Sequence, residues 1–479
     1  MKKLLGLALW LLPWAALAVQ PRSIALTIQD TGLAQVSETH DLEPSGPDGL
    51  VRISPLPATL LPASVSATPL ERGETIDIAA QRFAYDLADN DALFRAHLGQ
   101  PVVVRQGGGS LSGLIAAPPD FSRPPPALVL AGPDAPVRLV PDLSRVDSVE
   151  FAASPLLARV PTLIWQLAAG QSPPAAVQLS YAASGLAWAA FHEAVLAEDA
   201  HAIELSTRVR LGNRTGRDFP GARVRLALTD KGRLPPLVPD AADPRAALLP
   251  ALRYAADGLA RIPERAAAAA AVVASYDLPR PISLPAGAEV HAALAPPLAL
   301  SAETQYVYDG VRFDRYQRNR RTDWTYGTES SPIVETRLTF KNETTAPLPP
   351  GEFRLLQGQG SRPLEWIGTD WLPPLPPGAT ATLQLGPAAG LSGRRLRTGF
   401  AEVVPLKVSE ESFEITLDNQ TGGDQTVTVV EHFYRGDNHE ITAASAEHAP
   451  GADPHSIQFL VPVKAGAAKS FTYTVRYTW

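Results

Sequence analysis

No cysteine occurs among the 479 residues. That absence excludes disulfides, thiolate metal centres, cysteine nucleophiles and the acylated cysteine of exported lipoproteins. A basic balance is missing as well: 42 Lys and Arg face 49 Asp and Glu, and the formal charge of -7 becomes -9 once Lys2 and Lys3 leave with the N-terminal segment. Phosphate contacts usually show as a positive balance, so no nucleic-acid partner is expected. Beyond the first eighteen residues no apolar run approaches the ~20 residues of a spanning helix, and no stretch sustains coiled-coil heptads. A serine elbow is lacking, because Gly109-Ser110-Leu111-Ser112-Gly113 has leucine where the nucleophile would stand. His192-Glu193 lacks the second histidine of a zincin.

What is present begins with Lys2 and Lys3, an apolar run from Leu4 to Leu12, and Ala16-Leu17-Ala18 ahead of Val19. This is the layout of a secretory signal peptide cleaved near Ala18. The mature chain is therefore expected to be exported, periplasmic or associated with the outer envelope, with no transmembrane segment. Proline accounts for 47 of the 479 residues, about twice the ordinary ~5%. Long helical bundles are hard to build with that much proline, whereas β-sandwiches accommodate it in loops and edge strands.

Taken in order, the pattern predicts a mainly β, multidomain chain. Residues 1–18 are the signal peptide and 19–85 an N-terminal β module, in which IALTIQDTGLAQV alternates around a D-T-G turn. Residues 86–153 open with a short helix, DNDALFRAHLG, capped by Asp89 or Asn90. Five short strand-like runs follow (PVVVRQ, SLSGLIAA, ALVLAG, PVRLVP, VDSVEFA). This succession predicts a small Sm-like or SH3-like β-barrel, with Gly107 to Gly109 as a hairpin turn. Residues 154–300 form an immunoglobulin-like antiparallel β-sandwich module interrupted by a helical or disordered insertion at 231–275. Residues 301–400 and 401–479 form a second and a C-terminal sandwich module.

The sandwich prediction rests on a unit that recurs. An alternating strand runs to Asn213-Arg214-Thr215-Gly216 and a partner strand returns, and the same arrangement surrounds Asn342-Glu343-Thr344-Thr345 and Asn419-Gln420-Thr421-Gly422. Each matches a glycosylation acceptor by letters, but a tight turn demands the same residues. The closing FTYTVRYTW alternates like the last strand of an outer-membrane barrel, yet a series of ~10-residue amphipathic strands is missing. It is expected to close the last sandwich.

The stretches SYAASGLAWAAFHEAVL, VRLGNRTGRDFPGARVRLALTD, YDLPRPISLPAGAEV and KSFTYTVRYTW together resemble bacterial exported proteins of the domain of unknown function 4139 family. A more distant similarity is to mucoidy inhibitor proteins, some of which carry a coiled coil ahead of this domain. The resemblance implies an exported β-rich protein and brings no catalytic residues and no cofactor.

Two stretches stand out as sites. Arg312, Arg315, Arg318, Arg320 and Arg321 are interleaved with Tyr316, Trp324 and other aromatics. Guanidinium forks hold carboxylates or phosphates bidentately and aromatic rings stack on sugars, so the mixture suits an anionic glycan or an envelope protein. The plainer reading pairs these arginines with Asp309, Asp314 and Asp323 on a solvated face. The second stretch holds His432, His439, His448 and His455, of which His432 and His439 are weak candidates for a metal. Their spacing matches neither a helical pair nor a finger, and ordinary loop histidines explain them. Arg435-Gly436-Asp437 spells an adhesion tripeptide but reads as a hairpin turn. The expected role is a non-catalytic binding or scaffolding protein. The alternative is a periplasmic hydrolase or metal-dependent enzyme acting on envelope glycan or peptide.

Overall fold

The computed structural model describes residues 20–43, 48–132, 135–154, 157–197, 200–229, 272–311, 323–358, 364–436 and 438–479. Among the described residues 61% are strand and there is one α-helix, so the fold class is mainly β. The expected insertion at 231–275 lies outside the described residues except for its last four. Two compact units emerge, the first comprising Met1–Ala189 with Arg210–Ala292 and the second Ala190–Val209 with Ala293–Trp479.

In the first unit, β1 (Ser23–Gln29) and β2 (Leu33–Asp41) form a hairpin whose alternate residues Ile24, Leu26, Ile28, Ala34 and Val36 are buried. β3 (Leu50–Ile53), β4 (Ser66–Pro69) and β5 (Ile78–Ala84) follow. Helix α1 (Asn90–Ala96) starts where Asp89 accepts a 2.7 Å hydrogen bond from the Ala92 amide. Next come β6 (Pro101–Gln106), β7 (Gly109–Ala117), β8 (Leu128–Gly132), β9 (Ala135–Val140) and β10 (Ser148–Phe151). They pair in the order β10-β6-β7-β8-β9 over a core shared with Phe94. All five expected strands are present, but among the described residues no pairing joins β9 to β10, so the sheet is open and the expected closed barrel does not form. Beyond β9, Pro141 and a 3-10 turn at Leu143–Arg145 carry the chain to the far side of β6.

β11 (Thr162–Leu167) lies between β3 and β5, with the indole of Trp165 fully buried and donating to Gln81 at 2.8 Å. β12 (Ala176–Ser184) and β13 (Leu186–Leu196) meet at Gly185, the glycine of the SGLAW stretch. β14 (Ala202–Asn213), β15 (Phe219–Thr229), β16 (Val272–Asp277), β17 (Ile282–Leu284) and β18 (Glu289–Ala293) complete this part. One sheet runs β16-β15-β1-β2-β12-β4.

The second unit continues with β19 (Leu298–Asp309), β20 (Ile333–Lys341), β21 (Gly351–Gln357), β22 (Glu365–Leu372), β23 (Thr380–Val404) and β24 (Val408–Asn419). It ends with β25 (Gln425–His432), β26 (Asn438–Ala444), β27 (Ala449–Pro450), β28 (Ser456–Val463) and β29 (Ala467–Thr478). One core gathers around Leu338, Phe340 and Phe353, another around Phe413, Phe459 and Tyr473. Phe471, Tyr473, Val475 and Tyr477 of β29 all point into the latter, so the aromatic C-terminal strand closes a protein core.

One hydrogen-bonded cage occurs three times. Asn213, Asn342 and Asn419 are buried, and each accepts through Oδ1 from the amide and the hydroxyl of the threonine two residues on. Each Nδ2 donates twice, once to the carbonyl four residues ahead and once to a distant carbonyl: Leu284, Leu375 or Val463. Those distant residues open the segments Leu284-Pro-Ala-Gly287-Ala, Leu375-Pro-Pro-Gly378-Ala and Val463-Lys-Ala-Gly466-Ala. Each glycine has φ between 66 and 76°, a conformation that favours glycine. The strands around each cage also pair alike. The asparagine strand joins the strand after the glycine (β14 with β18, β20 with β23, β24 with β29), and the strand after the threonine has a parallel neighbour (β1 to β15, β13 to β21, β19 to β25).

Candidate functional site

Strand alternation in the C-terminal half brings ionic side chains into an apolar interior. Glu411 shares its face of β24 with Phe413, Ile415 and Leu417, and Glu431 shares its face of β25 with Val427 and Val429. β23 contributes Arg395 and Arg397, and β29 contributes Tyr473 and Tyr477. Just past β25 the chain adds Tyr434 and Arg435. Both carboxylates and the guanidinium of Arg435 have no exposed surface, and the Arg395 and Arg397 side chains are 1% and 7% exposed.

Two centres result. Arg395 Nε donates to Glu431 Oε2 at 2.8 Å, and the Tyr473 hydroxyl donates to the same oxygen at 2.5 Å. The Arg395 guanidinium carbon lies 3.8 Å above the Phe413 ring, which supplies a cation–π contact. At the other centre, Glu411 accepts from Arg435 at 2.8 Å, from Arg397 at 3.1 Å and from the Tyr434 hydroxyl at 2.9 Å. Three guanidinium groups thus meet two carboxylates, and the surplus positive charge is directed at backbone carbonyls of one loop. Arg435 donates to Asp323 O and Tyr326 O at 2.8 Å each, and Arg395 donates to Gly327 O at 2.7 Å. The loop at 323–331, which precedes β20, is clamped from beneath.

The titration behaviour suits anchoring. Burial, reinforced by Glu431, pushes the Tyr473 phenol far up, and burial with neighbouring phenol and carboxylate charge does the same for Tyr477 and Tyr434. Burial, the largest single influence, would lower Arg395, but the Glu431 carboxylate together with Tyr473 and Tyr434 outweighs it and holds the guanidinium charged. These tyrosines stay neutral and Arg395 and Arg435 stay charged across the physiological range, so none of these groups is tuned for proton transfer near neutrality. A separate buried group in the first unit joins Glu38 to Arg217 (2.9 Å), Tyr181 (3.1 Å) and His40 (3.0 Å).

Of the residues singled out from sequence, Arg312, Arg315, Tyr316, Arg318, Arg320 and Arg321 lie outside the described residues. Trp324 sits on the clamped loop and is 65% exposed. His432 is 3.2 Å from Asp309, and His439 stacks on Phe433 with centroids 4.1 Å apart. Among the described residues no group of three or more His, Cys, Asp or Glu is placed to hold a metal ion, and no helix is long and apolar enough to cross a membrane. Arg435 of the adhesion-like tripeptide proves to be a buried anchor. Sequence reasoning missed the whole ionic cluster, although its signal was present: Arg395, Glu411 and Glu431 fall in phase with the apolar residues of their strands.

No curated protein matches the sequence. Residues 177–479 match the family described as Domain of unknown function (DUF4139). That span covers most of the chain, every cage and the entire clamp, and this protein belongs to the DUF4139 family.

Proposed function

We propose that this protein is exported, loses its signal peptide near Ala18, and acts as a non-catalytic binding or scaffolding protein of the cell envelope. Its sandwich modules are immunoglobulin-like and its five-stranded sheet is Sm- or SH3-like in this reading. Recognition runs through the arginine-aromatic stretch that includes Arg312, Arg315, Tyr316, Arg318, Arg320, Arg321 and Trp324, and the ligand is an anionic glycan or an acidic face of an envelope protein.

The supporting observation is the clamp. The loop that follows this stretch is held through its carbonyls at Asp323, Tyr326 and Gly327 by buried arginines. Burying three guanidinium groups carries a desolvation penalty of several kcal/mol per ion before pairing offsets it. A fixed loop base reduces the ordering that a ligand would otherwise impose on binding. The hydrolase alternative has no comparable support, since His432 lies against Asp309 and His439 against Phe433.

The test is joint replacement of Arg318, Arg320 and Arg321 by alanine, with capture of lipopolysaccharide and of heparin measured on immobilised protein. Capture by the native chain that weakens tenfold or more in the triple variant, at unchanged thermal stability, is the expected result. Equal capture by both proteins refutes the assignment of this stretch.

A further inference from the structure

β22 carries two tryptophans five positions apart, Trp366 and Trp371, and each is 57% exposed. An odd separation on a regular strand would send them to opposite faces. The register against β21 shifts between Leu355 and Leu356, so that Leu356 faces Trp366, Arg354 faces Thr369 and Glu352 faces Trp371. The extra residue, Ile367, is a β-bulge that returns both indoles to the same outward face. Four residues of β21 separate their partners, which sets the rings ~13 Å apart along the strand. Between them on that face lie Thr369 and Arg354, whose guanidinium carbon is 5.4 Å from the centre of the Trp366 ring.

The strand beneath this face is held rigidly. A Cβ on Gly368 would fall 1.8 Å from the Leu385 carbonyl oxygen, so the β22 and β23 backbones are in direct contact there. Asp370 accepts from the Gln384 amide at 2.6 Å. β22 is the end strand of its sheet, with β21 as its one hydrogen-bonded neighbour among the described residues, but the indoles stand on the face of β22 and not along that edge.

The charges choose among the remaining occupants. Arg354 Nε donates to Glu352 at 2.6 Å, and Glu193 on β13 stands opposite Arg354 in register. Two carboxylates thus surround the Arg354 guanidinium, so its charge is already engaged and does not favour a polyanion. A protein patch broad enough to cover both rings would also bury this charged row. A neutral chain of equatorially linked sugars presents flat C–H faces to the indoles and hydroxyl groups to the carboxylates, guanidinium and threonine hydroxyl between them.

We infer that the Trp366–Trp371 face is a binding platform for a neutral β-linked glycan. This surface and its ligand charge differ from those of the arginine-aromatic stretch, so either assignment can fail without the other. The experiment titrates the mature protein with cellohexaose and with chitohexaose, following tryptophan emission and heat. Heparin and neutral phospholipid vesicles serve as further arms, and sedimentation monitors self-association.

Saturable binding of at least one hexaose is expected, together with a blue shift of emission. Trp366→Ala and Trp371→Ala should each weaken it about tenfold or more, and the double variant should abolish it, while Leu460→Ala on β28 leaves it unchanged. Trp366→Phe and Trp371→Phe supply a graded loss should the alanine variants fold poorly. The platform is refuted if neither hexaose binds at millimolar concentration, or if the double variant binds as the native chain does. It is equally refuted if the tryptophan variants remove heparin binding, vesicle binding or self-association in place of glycan binding.

Discussion

Asn342 illustrates what one buried primary amide can join. Its two N–H groups tie its own turn, through Ala346, to the end of a segment thirty-odd positions later, while its oxygen holds Thr344 in place. Asn213 and Asn419 do the same with different loop lengths between the halves. With both amide hydrogens donated inside the core, none of the three is available for glycosylation once folded, which agrees with the turn reading of their N-x-T sequence. Replacement of Asn342 by alanine removes both donors and takes from the Thr344 amide its Oδ1 acceptor, while the Leu375 carbonyl keeps the Leu348 amide, a loss of about 1–3 kcal/mol by the usual penalty for an orphaned group. Thr344→Val keeps the amide and should cost about 1 kcal/mol. Urea denaturation of the two variants checks the ranking; equal losses would mean that the cage is held by its threonine instead.

At the level of elements, the clamp converts five strands and one loop into a single fitted piece. β23, β24, β25 and β29 meet around Glu411 and Glu431, and β19 joins through the Tyr308 hydroxyl, which donates to Ser331 O at 2.8 Å. Arg435→Met removes the donors to Asp323 O and Tyr326 O and leaves Glu411 with Arg397 and Tyr434. Breaking a buried pair in this way costs about 3–5 kcal/mol, whereas replacing both partners by apolar groups restores much of it. Arg435→Met should therefore lower stability strongly and expose 323–331 to protease, and adding Glu411→Leu together with Arg397→Met, so that no charge of this centre is left buried alone, should recover part of the stability but not the protection. Mass-spectrometric mapping of limited proteolysis reads this directly. Protection of the loop in Arg435→Met would show that it is held by something other than the arginine.

For the molecule as a whole, alternation in the sequence was enough to predict β14, β15, β20, β24, β25 and β29 as strands with one buried face, but the antiparallel pairing expected across each N-x-T turn does not form: β15, β21 and β25 do not return beside β14, β20 and β24, and lie parallel to β1, β13 and β19 instead. The N-x-T halves of the cages were visible from the same alternation. The Gly-Ala halves opened by Leu284, Leu375 and Val463 were not, because their distance from the asparagine differs in each repeat and only the folded chain brings them together. The site was less legible: arginines beside aromatics attract attention in a sequence, while Arg395 and Arg397 look like surface residues until β24 and the 323–331 loop cover them. Burial decides acid sensitivity in a similar way, and His192 and Glu38 respond to pH over different windows. His192 is fully buried, 3.0 Å from Thr207 Oγ1 and 2.9 Å from Pro349 O, with Phe353 stacked alongside, and burial brings its imidazole down to about 4. The unfolded chain then takes up a proton near pH 6.5 that the folded one refuses, so His192 withdraws up to about 3 kcal/mol of stability as pH falls from about 6.5 to 4. Glu38 behaves otherwise: burial alone would raise its carboxyl, but the His40 hydrogen bond and the Arg217 charge hold it below the usual value. Its contribution persists until pH drops below about 4.5 and is lost as the folded carboxylate protonates. Acidification from pH 7 to 5 should therefore lower the hydrogen-exchange protection factors of β13, β14 and β21 before those of β1, β2 and β12, and His192→Gln should flatten the pH dependence of the former. Simultaneous loosening of both sets in the native chain, or an unchanged slope in His192→Gln, would remove His192 as the cause.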